Sequence, residues 1–318
     1  RLEQEGPLGA EFDRTVEDSS FGEKSWEKAE TKMQQLAMEL ALQKGQTAPE
    51  QVDVVLGGDL LNQCIASAYA VRELGRPFLG LYGACSTMAE SLTLAALLVE
   101  GGAAEKALAV TSSHFCSSER QFRFPLNYGG VRTPTAQHTA TASGAALVGK
   151  QGSIHIEEVC IGRVVDLGVT DLNNMGAAMA PAAWDTLRQY FADTGTGPAD
   201  YDKIITGDLA QVGSDLLVRL AAEEGCDLRP RYTDCGLMLY DREGQKVDAG
   251  ASGCGCSAAV MCAHFLPAMQ RGEYKNILFM ATGALMSREL LERIIEVARS
   301  VDAYVLCDEV YRNLTQED

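Results

Sequence analysis

Short apolar runs alternate along this chain with stretches in which charge and apolarity follow a helical period. From Ser25 to Gln43, acidic and basic residues interleave with Ala29, Met33, Leu36, Met38, Leu40 and Ala41. That spacing predicts an amphipathic helix capped at Ser25 and stopped by Gly45. Val52 to Leu56 then reads as a buried strand, Leu61 to Glu73 as a helix, Pro77 to Leu81 as a strand and Thr87 to Val99 as a helix. Ala107 to Ser113 is strand-like. Thr139 to Val148 and Ile154 to Val159 read as a hairpin turning at Lys150-Gln151-Gly152. Further on, Pro181 to Ala192 and Ser214 to Ala222 read as helices, and Leu237 to Tyr240 and Gln245 to Ala249 as strands around an acidic turn. Strands alternating with helices imply a layered α/β fold.

The pattern is duplicated. Val54-Val55-Leu56-Gly57-Gly58-Asp59-Leu60 recurs as Lys203-Ile204-Ile205-Thr206-Gly207-Asp208-Leu209. Each copy leads to a small-residue turn holding cysteine, Gly83-Ala84-Cys85-Ser86 in one and Gly255-Cys256-Ser257 in the other. Each turn opens an Ala-rich stretch, a charged break and a strand-like run, Ala107 to Thr111 and Ile277 to Ala281. Two equivalent halves about a pseudo-twofold axis would bring the turns together. A shared site between them is therefore expected.

Composition narrows the partners. The 318 residues carry a formal charge of −17, which disfavours nucleic acid and anionic lipid. No run approaches the roughly 20 apolar residues of a membrane span. Glu100 and Gly101 end the nearest one, Ser91 to Val99. The ten cysteines form no CxxC and no paired zinc spacing, and most read as small buried residues of a reduced, cytoplasmic protein. His138, His155 and His264 form no ligand pair, so neither a metal nor a cofactor is expected. Residues 1 to 24 are polar and begin without Met, and the natural start is expected to lie upstream.

Cys85 is the sharpest candidate. At a strand–helix junction it meets the positive end of a helix and main-chain N–H groups suited to an anion; the alternative is a small residue filling a crowded turn. His114, at the end of the Ala107 to Ser113 run, is either a base beside Cys85 or a polar loop residue. Asp59 and Asp208 follow glycines at strand ends, where carboxylates cap helices or touch a ligand. Arg120 and Arg123 flank Gln121-Phe122 and either clamp a carboxylate or face solvent.

Gly58-Asp59-Leu60-Leu61-Asn62-Gln63, Tyr82-Gly83-Ala84-Cys85-Ser86-Thr87, Ser112-Ser113-His114 and Glu119-Arg120-Gln121-Phe122-Arg123 together resemble one family. So do Met175-Gly176-Ala177-Ala178-Met179-Ala180-Pro181, Thr206-Gly207-Asp208-Leu209, Asp234-Cys235-Gly236 and Thr282-Gly283-Ala284-Leu285. These motifs are similar to the stage V sporulation protein AD family, over residues 1 to about 287. The resemblance implies a thiolase-like α-β-α-β-α fold, with 1–159 and 160–287 as its two halves. It implies binding of dipicolinic acid (pyridine-2,6-dicarboxylate), with or without calcium. It also implies partnership with other stage V sporulation A-operon proteins at the spore inner membrane, where a soluble member would be peripheral.

In thiolases and ketoacyl synthases the cysteine matching Cys85 is acylated. The synthases' histidine is expected near Gly207-Asp208 and its partner near Ser252 to Cys256; this chain has Asp208 and Cys254-Gly255-Cys256 there. A base alone contributes typically ~10² to 10⁴-fold to such chemistry. The expectation is a non-catalytic binding cleft built from Cys85, His114, Arg120, Arg123, Asp208, Cys254 and Cys256. The alternative is an acyltransferase using Cys85 with His114. A homodimer is expected through the strand Ala107 to Ser113, on the premise that it is an open edge. Residues 288–318 depart from the family: Cys307-Asp308-Glu309-Val310-Tyr311 resembles a strand of fold-type I aminotransferases. No lysine context accompanies it, and it reads as a fusion scar or a divergent end.

Overall fold

The computed structural model describes residues 5–122 and 132–284. The first half opens with α1 (Trp26–Lys44), whose Ser25 hydroxyl accepts from the Lys28 amide as the sequence expects. There follow β1 (Val54–Gly58), α2 (Ile65–Leu74), β2 (Phe78–Gly80), α3 (Thr87–Glu100), β3 (Lys106–Ser113), α4 (Phe115–Phe122), β4 (His138–Thr139) and β5 (Ala142–Gly149). The second comprises α5 (Met175–Thr194), β6 (Lys203–Thr206), α6 (Ala210–Glu223), β7 (Tyr232–Asp234), α7 (Cys235–Met238), β8 (Ala251–Ser252), α8 (Cys254–Val260), α9 (Leu266–Gln270) and β9 (Ile277–Met280). A π-helical turn, Met261–Phe265, joins α8 to α9.

Strand order is β2-β1-β3-β5 in one sheet and β7-β6-β9 in the other. β1 pairs in parallel with β2 and β3, as β6 does with β7 and β9. The duplicated sequence is thus a duplicated βαβ pattern. Neighbouring residues on the central strands face opposite layers, as strand geometry requires. Val55 and Leu108 pack with Met38, Leu42 and Val71 of α1 and α2, whereas Leu56 and Ala107 pack with Ala95 and Val99 of α3. In the second sheet Ile204 joins Leu187 and Leu217 of α5 and α6, and Ile205 joins Cys256 and Val260 of α8. Helices α3 and α8 occupy the layer between the sheets, and five layers alternate α-β-α-β-α. β4 and β8 stitch the halves together, His138 opposite Ala251 and Thr139 opposite Ser252.

Four sequence expectations change, among them Gln245 to Ala249, which forms turns and bends rather than a strand. Ile154 to Val159 makes no strand: 151–170 runs extended without regular structure, with Ile161 and Val164 about four-fifths exposed (78% and 84%). Alternating polarity supplies a strand face, but a ladder also needs a partner edge. Leu237 to Tyr240 is not a strand either, because the Asp234 carboxylate caps the Leu237 amide and starts α7. Helix α5 begins at Met175 rather than Pro181, capped by Asn174; Gly176 lets it approach α6, since a Cβ there would lie 2.7 Å from the Gly213 nitrogen. The premise of the expected dimer also fails. β3 is an interior strand, hydrogen-bonded to β1 on one side and to β5 on the other. Residues 288–318, with the aminotransferase-like stretch, lie outside the described residues.

Because Leu108 is fully buried between β3 and the outer helices, Leu108→Ala should cost about 2–5 kcal/mol in urea unfolding. Leu97→Ala, at a position of α3 that is 46% exposed, should stay within about 0.5 kcal/mol of the parent.

Candidate functional site

The Cys85 turn is set by backbone geometry. β2 runs through Leu81 and Tyr82 into Gly83, and a 3-10 turn at Ala84–Ser86 leads directly into α3. Ala84 adopts the left-handed conformation (φ 50), uncommon for a residue with a Cβ. Local hydroxyls hold it there: Ser86 donates to the Gly83 carbonyl (2.6 Å) and Thr87 to the Ala84 carbonyl (2.7 Å). Cys85 is buried at the helix start.

Opposite stands the Gly253–Cys256 turn at the start of α8. Residues of α8, which this turn opens, approach the Cys85 turn within 8 Å between Cα atoms. Gly253 takes φ 99, open to glycine. Its N–H donates to Asp208 Oδ2 at 2.7 Å. The Cys254 thiol donates to the Ser112 carbonyl (3.0 Å), and the Gly255 N–H to the Ser113 hydroxyl (3.2 Å). The end of β3 in the first half therefore grips the cysteine turn of the second. Gly283, just beyond β9, closes a third side: a Cβ there would meet the Gly83 carbonyl oxygen at 2.3 Å.

Burial decides the chemistry of these thiols. It pushes Cys254 well above the usual thiol range, with Cys85, Glu30, Asp59 and Asp208 adding to the effect. Cys256 is raised likewise by burial, then by Cys235 and Asp208. Both are neutral SH groups at neutral pH.

Cys85, Asp208, Cys254 and Cys256 thus meet around one seam. His114 and Arg120 are engaged elsewhere. The His114 ring contacts the Ser19 carbonyl through Nε2 (2.9 Å), accepts the Cys116 amide at Nδ1 (3.2 Å) and lies against Trp26. Burial lowers its pKa, so the ring is neutral and both nitrogens are occupied. Arg120 pairs with Glu27 on α1, and Arg123 lies outside the described residues. The remaining histidines serve other places. His264 pairs with Glu11, His155 is exposed, and His138 lines a cavity of about 340 Å³ with Glu5, Phe115 and Tyr240. No cluster of three or more metal-ligating side chains occurs among the described residues.

Some contributors were not singled out in the sequence. Gln137 donates from Nε2 to the Asp208 carbonyl (2.6 Å) and the Ala251 carbonyl (3.2 Å), and Glu119 accepts from Thr139 and pairs with Arg132. No local spacing marks them. Glu30 and Gln34 did carry a signal, being polar residues one turn apart on the apolar face of α1.

This architecture is that of the thiolase-like proteins. Among solved structures, 3-oxoacyl-[acyl-carrier-protein] synthase III from Aquifex aeolicus superposes with a TM-score of 0.54 at 16% identity, covering 80% of each chain. Acetamide-bound OleA of Xanthomonas campestris gives 0.57 at 14% identity, covering 80% of this chain and 78% of that one. The family model for stage V sporulation protein AD (SpoVAD) matches residues 1–299. Stage V sporulation protein AD of Bacillus subtilis (strain 168) is 44% identical over 292 residues, 92% of this chain and 86% of the relative. The chain belongs to the stage V sporulation protein AD family. No helix among its described residues is long and apolar enough to cross a membrane.

Two outcomes follow from the seam. Under native conditions at pH 8, alkylation should reach exposed Cys160 first and Cys254 and Cys256 only on unfolding, read by peptide mass spectrometry. Gly255→Ala should destabilise by at least about 1–3 kcal/mol, because its Cβ would fall 2.2 Å from the Ala142 carbonyl oxygen.

Proposed function

We propose that the seam between the Cys85 turn and the Gly253–Cys256 turn binds dipicolinic acid without catalysing a reaction on it, as part of a sporulation role at the spore inner membrane. Membership of a sporulation family supports the setting. The observation that carries the reading is the meeting of the Cys85 turn with a second-half turn holding neutral thiols and no histidine. A planar dicarboxylate presents one anionic group at each end. Helix starts offer main-chain N–H groups to such anions, and two starts, those of α3 and α8, lie at this seam; at α8 the Gly253 and Gly255 N–H groups donate to Asp208 and Ser113, so a bound carboxylate would take the place of those acceptors. With His114 and Arg120 engaged, these amides and the neutral thiols replace the side-chain clamp expected from the sequence.

The same geometry argues against the acyltransferase alternative. Proton transfer from Cys85 needs a base with a free nitrogen, and both His114 nitrogens are occupied. Calcium accompanying the ligand, and association with other stage V sporulation A-operon proteins, belong to this proposal. So does a homodimer, moved to a different strand. β2 is an outer strand, with Leu79, Tyr82, Ile65 and Tyr69 between 42% and 50% exposed around it. Antiparallel pairing of β2 with its copy would cover that edge about a twofold axis.

Replacing Cys85 by Ala should weaken dipicolinate binding, measured by calorimetry, by roughly 1–3 kcal/mol, and benzene-1,3-dicarboxylate should compete poorly. Stoichiometric, turnover-competent acylation of Cys85 by an acyl thioester would reject this reading. In sedimentation, Leu79→Lys should shift a dimer to monomer; an unchanged dimer would place the interface elsewhere.

A further inference from the structure

Beneath the seam lies a second group of buried polar residues that the proposed binding does not use. Glu30, Gln34, Asp59, Ser67, Ser112 and Ser117 are all fully buried. The Gln34 Nε2 group lies 2.8 Å from each of the hydroxyls of Ser67 and Ser112 and 3.2 Å from the Gly58 carbonyl, its two protons shared among the three. The Ser67 hydroxyl donates to Asp59 Oδ2 (2.6 Å), and the Ser112 hydroxyl to Glu30 Oε1 (2.8 Å). Two carboxyl groups are thereby linked through Ser-Gln-Ser, and no Lys or Arg among the described residues pairs with either. Two ionised carboxylates there would be buried and uncompensated, which is strongly unfavourable.

Donor counting assigns the charge. Asp59 receives two main-chain N–H groups, from Leu61 and Ser67 (both 2.8 Å), as well as the Ser67 hydroxyl. Burial raises the Asp59 carboxyl too, but those amides cannot turn away, and they oppose the rise by favouring the carboxylate. Glu30 is met only by two hydroxyls, which rotate freely. One of them has two acceptors for a single proton: Ser117 Oγ lies 2.9 Å from Glu30 Oε2 and 3.1 Å from the His114 carbonyl. A proton on Glu30 Oε2 resolves this, since Glu30 then donates to Ser117 and Ser117 donates to His114.

We infer that Glu30 is held as a neutral carboxylic acid and acts as a positioning residue, fixing through Ser112 the end of β3 that carries the Cys254 turn. The mechanical link is short: the Ser112 hydroxyl meets Glu30 and the Ser112 carbonyl accepts the Cys254 thiol. Burial, reinforced by the Asp59 charge, pushes the Glu30 carboxyl up to about 8. The groups around it act consistently. Cys254 from α8 is neutral, His114 ahead of α4 is neutral, and Glu27, a turn earlier on α1, is paired with Arg120. Ionisation near pH 8 would turn Ser117 away from His114 and place a second charge beside Asp59, loosening β3 from the cysteine turn.

The test uses the intact chain and needs no ligand. Infrared spectra of protein labelled with ¹³C-carboxyl glutamate should show at pH 7 a protonated-carboxyl band that shifts with this label and not with labelled aspartate. The band should vanish as pH rises through about 8. Glu30→Gln, which copies the neutral acid, should lack the band. Its Gly255 amide exchange, corrected for base catalysis, should stay flat from pH 7 to 9, where the parent rises about tenfold per unit past the transition. A glutamate band that survives in Glu30→Gln, no glutamate band at pH 7, or the same exchange profile in Glu30→Gln and parent would overturn the inference. Should Glu30→Gln not fold, the labelled parent still decides.

Discussion

Everything in this fold depends on how closely the end of β3 can approach the start of α8. That approach permits no Cβ at either glycine of the turn: Gly253 would meet the Ser113 hydroxyl at 2.7 Å and Gly255 the Ser113 nitrogen at 2.5 Å. The contact is polar as well as tight, with the Cys254 thiol and the Gly255 amide both donating across it. It joins the C-terminal end of a central strand in one half to the helix start of the other. With the β4–β8 pairing, it holds the two halves on a common seam.

The layering was legible in the sequence because each central strand is a run of apolar residues serving two faces. Val55 with Leu56, and Ile204 with Ile205, send neighbouring side chains to opposite cores. The convergence of the Cys85 and Cys254 turns followed from the duplication. What the sequence hid was commitment. A histidine at a strand end looks available until Ser19, almost a hundred positions earlier, supplies a carbonyl for its ring. Arg120 looked like an anion clamp, but Glu27 of α1 reaches it first. Edge and interior strands cannot be told apart by composition either. β3 is apolar because both its neighbours and both its faces are covered, whereas the outer strand β2 is only three residues long and partly exposed.

Within the thiolase-like fold, this sporulation-family chain carries Cys85 in the turn that leads into α3. Where proton transfer needs a titratable ring, Asp208 instead accepts the Gly253 amide, and the thiols beside it are held neutral by burial. Such a seam is rich in fixed dipoles and poor in mobile protons, the property on which the proposed binding role rests. Glu30 extends the same principle one layer deeper: a proton held still, so that the strand above it stays in place.

The most direct measurement is the structure of the protein with dipicolinate bound. The account predicts the pyridine ring between the Cys85 turn and the Gly253–Cys256 turn, with its carboxylates against the main-chain amides at the starts of α3 and α8. Ligand density instead in the cavity beside Phe115, His138 and Tyr240, with the seam closed and unchanged, would contradict it.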